Sequence, residues 1–291
     1  MNDLVILSGI AAIADAYDGF ILDLWGVLHD GTKPIPGVLD CLTRLKKAGK
    51  RVVILSNAPR RAHLVEARVA EIGIPRKLYD HLLSSGEETW RHLVQRDDPF
   101  YAALGRTCYH IGPPKDDNLI DGANLTVVES VQEAEFILNT GPWDWDETVA
   151  TYEKVLQDGA ARGLPMICAN PDLVVMISDH RAICAGALAQ RYEELGGRVR
   201  WHGKPYNSIY ETCFGLLQVA DKSRIVAIGD SLRTDIAGAN GMGLDSILVT
   251  GGIHAEELGA APGILPDRAK LQAAIDSSGH NPTYAITYLV W

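Results

Sequence analysis

The chain has 291 residues and a formal charge of −10 at pH 7. Such an acidic balance argues against nucleic acid or an anionic membrane as a main partner, whereas an anionic small molecule stays admissible because a bound cation and a few Lys or Arg reverse the sign locally. Hydrophobic residues make up 47% and charged residues 22%, the mix of an ordinary globular protein with core enough for one large domain or two modest ones.

No apolar run is long enough for a membrane span, and the start (MNDLVILSGIAAIADAYDG) carries Asp3 and Asp15 where a leader would be basic. The cytoplasm is the expected compartment. Five cysteines, Cys41, Cys108, Cys168, Cys184 and Cys213, are odd in number and form no CxxC pair, so reduced and buried thiols are expected.

In chain order, the strand-like run Phe20-Ile21-Leu22 ends at Asp23, which opens the turn Asp23-Leu24-Trp25-Gly26-Val27-Leu28. A Pro/Gly stretch over 32–37 leads into a helix with Val38, Leu39, Leu42 and Leu45 on one face, stopped at Gly49. Residues 51–55 (RVVIL) read as the next strand, with Ser56-Asn57-Ala58-Pro59 at its end and a helix over 61–72. LYDHLLSSGEETWRHLVQR adds a strand and a helix, and a break follows at Asp97-Asp98-Pro99.

A second alternation runs from there to about Arg200. CYHIG, LTVVE, EFILNTG and PMICAN read as strands, with helices over 147–161 and 181–195, the latter closed by Gly196-Gly197. The first style then resumes with a helix over 208–219, the strand IVAIG, a helix over 234–242 and the strand SILVT. The terminal TYAITYLVW alternates like an edge strand, which makes it a candidate partner interface. The expected class is α/β: a parallel-sheet core in two pieces, 1–96 and 201–291, with a second α/β domain inserted over 97–200.

The core offers polar groups at strand ends and loops: Asp23, Ser56, Lys204 in Trp201-His202-Gly203-Lys204-Pro205, and Asp230 with Asp235 after IVAIG. Acids just past the C-terminal ends of parallel strands stand where open α/β sheets bind ligands. Phosphoryl transfer needs an in-line nucleophile, a cation for the non-bridging oxygens and donors that hold the phosphate. Asp23 suits the nucleophile and, with Asp230, a hard cation such as Mg²⁺. Ser56 and its neighbours suit donors to phosphate, and Lys204 supplies a compact positive charge. Asp235 is placed to orient the cation's waters or Lys204.

The segments FILDLWGVLHDG, VILSNAPR, GKPYNSIY and AIGDSLRTDIAGA together resemble the four motifs of the haloacid dehalogenase superfamily, class IIA, in order and with the insertion between the second and third. The resemblance spans nearly the whole chain. It implies a Rossmann-like core with an inserted α/β cap domain, and a Mg²⁺-dependent phosphatase of a small phosphorylated metabolite acting through an aspartyl-phosphate. By the same resemblance Asp23 is the nucleophile, Ser56, Asn57 and Lys204 bind phosphate, and Asp23, Asp230 and the carbonyl of Trp25 hold the metal, with Asp235 in its outer shell. Asn170 and Asp172 match the cap loop that faces substrate. Relatives pair through their caps, so a homodimer is admissible.

One residue departs from the pattern. The position two after the nucleophile is an aspartate in phosphatases of this kind and serves as general acid and base; here it is Trp25. Loss of that group removes roughly 10²–10⁴-fold in rate. His29 and Asp30 on the next loop are candidates to replace it. A protein that keeps the site but binds phosphate esters without efficient turnover is the alternative function, and a phosphoryl transferase is a third.

Blander roles compete at several positions. Ser56 and Asp235 could only cap helices, Lys204 could be solvated, Trp25 could pack in the core rather than stack on substrate, and Asn170 to Asp172 could be a plain Asn-Pro-Asp turn. Trp143 and Trp145 read as packing at the start of a cap helix. The nine histidines show no HxH or HExxH spacing, and no zinc site is expected.

Overall fold

Phe20-Ile21-Leu22 and Ile225-Val226-Ala227-Ile228 have no polar alternation, and a strand apolar on both sides needs cover on both. The computed structural model describes residues 4–177, 180–261 and 264–291. Its strands are β1 (Val5–Leu7), β2 (Gly19–Leu22), β3 (Arg51–Ser56), β4 (His81–Ser84), β5 (Thr107–Ile111), β6 (Thr126–Val128) and β7 (Phe136–Asn139). They continue with β8 (Pro165–Cys168), β9 (Val174–Ile177), β10 (His180–Ile183), β11 (Arg198–Trp201), β12 (Ile225–Gly229), β13 (Asp245–Val249) and β14 (Tyr284–Ile286). The chain divides into two compact units, one of Met1–Ser56, Glu66–Leu83 and Lys204–Trp291, the other of Asn57–Val65 and Ser84–Gly203.

The first unit is built on one sheet in the order β1-β14-β13-β12-β2-β3-β4. From β1 through β3 every pairing is parallel. Strands β2 and β12 are buried at every residue, as expected for the middle of a parallel sheet. Ile209, Cys213 and Leu217 of the helix Asn207–Leu217 pack with Ile21, Val53 and Ala227. Another cluster joins Leu248 and Ala285 to Leu232, Ile236, Leu271 and Ile275.

The second unit has a parallel sheet in the order β11-β8-β7-β5-β6, plus the antiparallel pair β9 and β10. Successive residues of a strand point to opposite faces, and β7 divides its side chains accordingly. Ile137 joins Tyr152, Leu156, Leu188 and Tyr192, while Phe136 and Leu138 join Leu93 and Tyr101. The parallel α/β class read from the sequence therefore describes both units.

Several boundaries differ from expectation. The helix expected over 181–195 begins only at Ala185, because residues 181–183 pair antiparallel with Val174–Met176; the β-branched run at 174–175 supplies the partner strand. The C-terminal strand β14 is interior: the N-terminal residues 5–7, not expected as a strand, pair along its open side and form the edge themselves. The helix Ser85–Gln95, placed before the boundary at 96 in the sequence, buries Leu93 within the second unit. The helix over 234–242 starts as a wide turn, Leu232–Ile236, before Ala237–Gly241. All five cysteines are buried and unbridged, as expected. No helix among the described residues is long and apolar enough to cross a membrane.

Phe20, fully buried on β2 with Tyr17 edge-on at 6.4 Å, tests the first core. Phe20→Ala is expected to cost about 3–5 kcal/mol, read as a lower urea midpoint. A loss under about 1 kcal/mol would mean that this strand is not central.

Candidate active site

Asp23 is the first residue beyond β2 and Asp230 the first beyond β12. The parallel register sets Leu22 against Ile228, so both acids leave the sheet at the same end, and the Asp23 amide donates to the Ile228 carbonyl at 2.8 Å. Register on the other side sets Leu22 against Ile54, which puts Ser56 at the matching end of β3. This is the edge where open parallel sheets receive ligands.

Lys204 reaches into this group. Its Nζ makes a short ion pair with Asp23 Oδ1 and donates to Asp235 Oδ1 at 2.7 Å, with the residue only 3% exposed. A solvated lysine is thereby ruled out. Asp235 is presented by the wide turn: its amide donates to the Ser231 carbonyl at 3.0 Å, and its Oδ2 accepts from the Ser231 amide at 3.1 Å. The N-cap of this turn is Ser231, and Asp235 bonds back to its amide instead of capping the helix that follows. Strand β12 has to end on glycine here, because a Cβ at Gly229 would lie 2.0 Å from Asp235 Cγ.

Asp230 sits in a backbone cradle. Its Oδ2 accepts from the Ile253 amide at 2.8 Å. A Cβ on Gly26 or Gly252 would approach that oxygen to 2.0 or 2.1 Å, and Gly26 also has φ of +80°, a conformation costly to other residues. Neither glycine was expected in the site. Their only trace in the sequence is position, one inside the turn after β2 and one just after SILVT.

The electrostatics follow from burial. Asp23, Asp230 and Asp235 each bring one oxygen within 4.8 Å of the others. Burial pushes the Asp23 carboxyl up to about 7 against the opposing pull of Lys204. Burial, then the charges of Asp23 and Asp235, holds Asp230 well above the carboxylate range. Burial works against the charge on Lys204, yet the two carboxylates outweigh it and raise its pKa well above the usual value. Fully ionised, the three buried carboxylates would exceed the one ammonium by two negative charges, and this excess is what their raised pKa values resist. An all-oxygen donor set with that excess, fixed by a glycine cradle, fits a hard divalent cation.

Trp25 is 42% exposed, which removes the core-packing alternative. Its indole meets the His29 ring edge-on at 5.3 Å and lies against Gly31, where a Cβ would come within 2.7 Å of the ring. The two proposed substitutes for the missing acid are otherwise engaged. His29 is buried, its Nδ1 accepts from the Gly31 amide at 2.9 Å, and burial lowers its pKa to about 4, so the imidazole is neutral. Asp30 Oδ1 accepts from Thr32 Oγ1 at 2.7 Å and from the Thr32 and Lys33 amides, which holds its pKa near 2 and leaves it no proton to give.

Asn57, Asn170 and Asp172 form a group of their own in the second unit. Asn57 Nδ2 donates to Asp172 Oδ1 at 2.8 Å, and the Asp172 amide donates to Asn170 Oδ1 at 3.0 Å. The latter bond is the side-chain turn that an Asn-Pro-Asp sequence favours. Trp143 and Trp145 are 48% and 44% exposed, with Trp143 tilted on Tyr152 at 5.3 Å.

Comparison with known proteins identifies the family. The profile described as haloacid dehalogenase-like hydrolase matches residues 20–126, and a second HAD-hydrolase-like profile matches 201–273. A crystallised hydrolase of the haloacid dehalogenase-like family from Brucella suis is 33% identical, covers 98% of this chain and 100% of its own, and superposes with a TM-score of 0.84. The chain belongs to the haloacid dehalogenase-like hydrolase family. Among curated relatives of this hydrolase, a 4-nitrophenylphosphatase from Schizosaccharomyces pombe is 26% identical over 84% of this chain and 87% of its own. The ribonucleotide monophosphatase NagD of Escherichia coli is 26% identical over 80% of this chain and 87% of its own. The class IIA resemblance read from the motifs stands.

Two outcomes test the acid pocket. A carboxyl whose pKa is higher folded than unfolded stabilises the fold fully below about pH 4, and that contribution is lost as pH rises through about 7. The cation-free hydrolase should therefore lose melting temperature between pH 5 and 8, and Asp230→Asn should flatten the loss. Saturating Mg²⁺ should raise the melting temperature by about 5 °C or more at pH 8 and by less at pH 5; no rise at either pH would remove the cation site. In calorimetry, Gly252→Ala should weaken Mg²⁺ binding at least about tenfold, or ~1.4 kcal/mol. Gly215→Ala, where an added Cβ meets nothing within 4 Å, should leave it unchanged.

Proposed function

We propose that this hydrolase cleaves small phosphate monoesters through an aspartyl-phosphate on Asp23, with Mg²⁺ as the cation of the acid pocket. The observation that carries the reading is Lys204 Nζ bridging two carboxylates beside a third at the C-terminal ends of adjacent parallel strands. The relatives named for 4-nitrophenyl phosphate and for ribonucleotide monophosphates support the monoester class.

In the first half-reaction a carboxylate oxygen of Asp23 attacks phosphorus, and the bond from phosphorus to the ester oxygen breaks in line with it. Lys204 compensates charge on the phosphoryl oxygens, and the Ser56 hydroxyl donates to one of them. Asp23, Asp230 and the carbonyl of Trp25 would hold the cation, with Asp235 orienting its surroundings through Lys204. Bound there, a divalent cation supplies positive charge to the non-bridging oxygens. Water then attacks the acyl-phosphate, releasing phosphate and restoring Asp23. The second unit is proposed as the cap domain, with Asn170 and Asp172 on its substrate loop.

Trp25 shapes the substrate range. With no carboxyl two positions after the nucleophile, and with His29 and Asp30 engaged elsewhere, the leaving oxygen departs without a proton from this loop. Aryl phosphates, whose leaving groups are stable as anions, should turn over much faster than alkyl phosphates. The same feature favours a second reading, a phosphate-ester binding protein with vestigial turnover.

Asp23→Asn should lower hydrolysis of 4-nitrophenyl phosphate by at least about 10³-fold; retained activity with Mg²⁺ present would sink the aspartyl-phosphate mechanism. Trp25→Asp should speed alkyl phosphates by about 10²-fold or more relative to aryl ones, the scale of a restored general acid. A metabolite panel that gives thermal stabilisation without released phosphate would favour the binding protein instead.

A further inference from the structure

The second unit holds a cluster that the phosphatase reading does not use. Glu88 and His92 are four residues apart on the helix Ser85–Gln95 and so share a face, and His202 follows β11. Donor atoms of all three lie within 4.8 Å of one another. Glu88 is 2% exposed and His202 1%. Their spacing, a Glu-x-x-x-His with a third donor far along the chain, matches no short zinc motif and is not legible along the chain.

We propose that Glu88, His92 and His202 form a second metal site, selective for a zinc-like transition ion. The decisive contact is at His202. Its Nε2 is hydrogen-bonded to the Tyr101 hydroxyl, while its Nδ1 stands 3.2 Å from Glu88 Oε2 and makes no hydrogen bond. With Nε2–H donating to Tyr101, the Nδ1 lone pair faces a carboxylate oxygen. Two acceptors at that distance repel unless a metal ion or a proton lies between them. His92 brings a second imidazole nitrogen without a hydrogen bond, its Nδ1, and its ring is centred 5.2 Å from that of His202.

The donor chemistry selects the ion. Two imidazole nitrogens and one carboxylate oxygen suit zinc or cobalt, whereas magnesium prefers the all-oxygen pocket of the first unit. Bonds of about 2.0–2.2 Å set tetrahedral donors about 3.4 Å apart, a spacing that donors lying within 4.8 Å of one another can reach. Asp97 Oδ1, 3.5 Å from His92 Nδ1, is at hand for the fourth position. The outer partners are in place as well: the Tyr101 hydroxyl is hydrogen-bonded to His202 Nε2, and the Gly203 amide donates to Glu88 Oε2 at 3.0 Å.

The test is a Co²⁺ titration of the full chain after chelator treatment, with Mg²⁺ in large excess to fill the acid pocket. The expected result is one Co²⁺ per chain with visible absorption of nitrogen-ligated cobalt, an affinity at least about 100-fold lower in His92→Gln and in Glu88→Gln, and no change in Asp230→Asn. No Co²⁺ retained by the wild type would overturn the proposal and assign the space between His202 and Glu88 to a proton. Equal retention by His92→Gln and Glu88→Gln, or loss of the absorption in Asp230→Asn, would overturn it too. Circular dichroism identifies a variant that fails to fold, in which case the other variant and the wild-type titration decide.

Discussion

Three carboxylates and one ammonium share a water-poor pocket at the end of a parallel sheet, and much of the first unit is arranged around that fact. Removing Lys204 from such a group would leave buried carboxylates uncompensated, a loss of about 3–5 kcal/mol. The arrangement therefore tolerates little displacement. Gly229, Gly26 and Gly252 lack side chains where any Cβ would strike Asp235 or Asp230. The wide turn Leu232–Ile236 exists where Asp235 has to face Lys204 rather than follow an ordinary helical start.

The loop after β2 carries a tryptophan beside the acid pocket without disturbing the frame of that pocket. The backbone of residue 25 is independent of its side chain, so the cation's surroundings and the Lys204 bridge are compatible with tryptophan there. The polar side chains of this loop are engaged locally. The indole lies on Gly31 and His29, His29 spends its free nitrogen on the Gly31 amide, and Asp30 is consumed by its own turn. The loop is well ordered by local hydrogen bonds and carries no residue set to deliver a proton.

Much of this was legible along the chain. Buried parallel strands announce themselves as unbroken apolar runs, and the polar residue at each end marks the site edge, which is how Asp23, Ser56 and Asp230 were found. The antiparallel pairing of 180–183 with 174–177 was not legible, because Arg181-Ala182-Ile183 suits a helix or a strand equally until the β-branched partner at 174–175 is beside it. The edge position of the C-terminal strand failed for the same reason: period-two alternation reports one solvated face, and whether another strand pairs alongside is a matter of distant sequence. Asn57 read as a phosphate ligand by its neighbour Ser56, yet its side chain is held by Asp172, more than a hundred residues away.

The sequence alone determined the α/β class, the two-piece sheet and the family, and it marked Asp23, Ser56, Lys204 and Asp230 as candidates, since each is written in local periodicity or in the residue just past a strand. Only the tertiary structure decided that Lys204 is buried between Asp23 and Asp235, that glycines cradle Asp230, that His29 and Asp30 are spent, and that Glu88, His92 and His202 meet. These are relations between side chains brought together from distant parts of the chain. Spacing along a chain carries no information about them until packing fixes which faces touch.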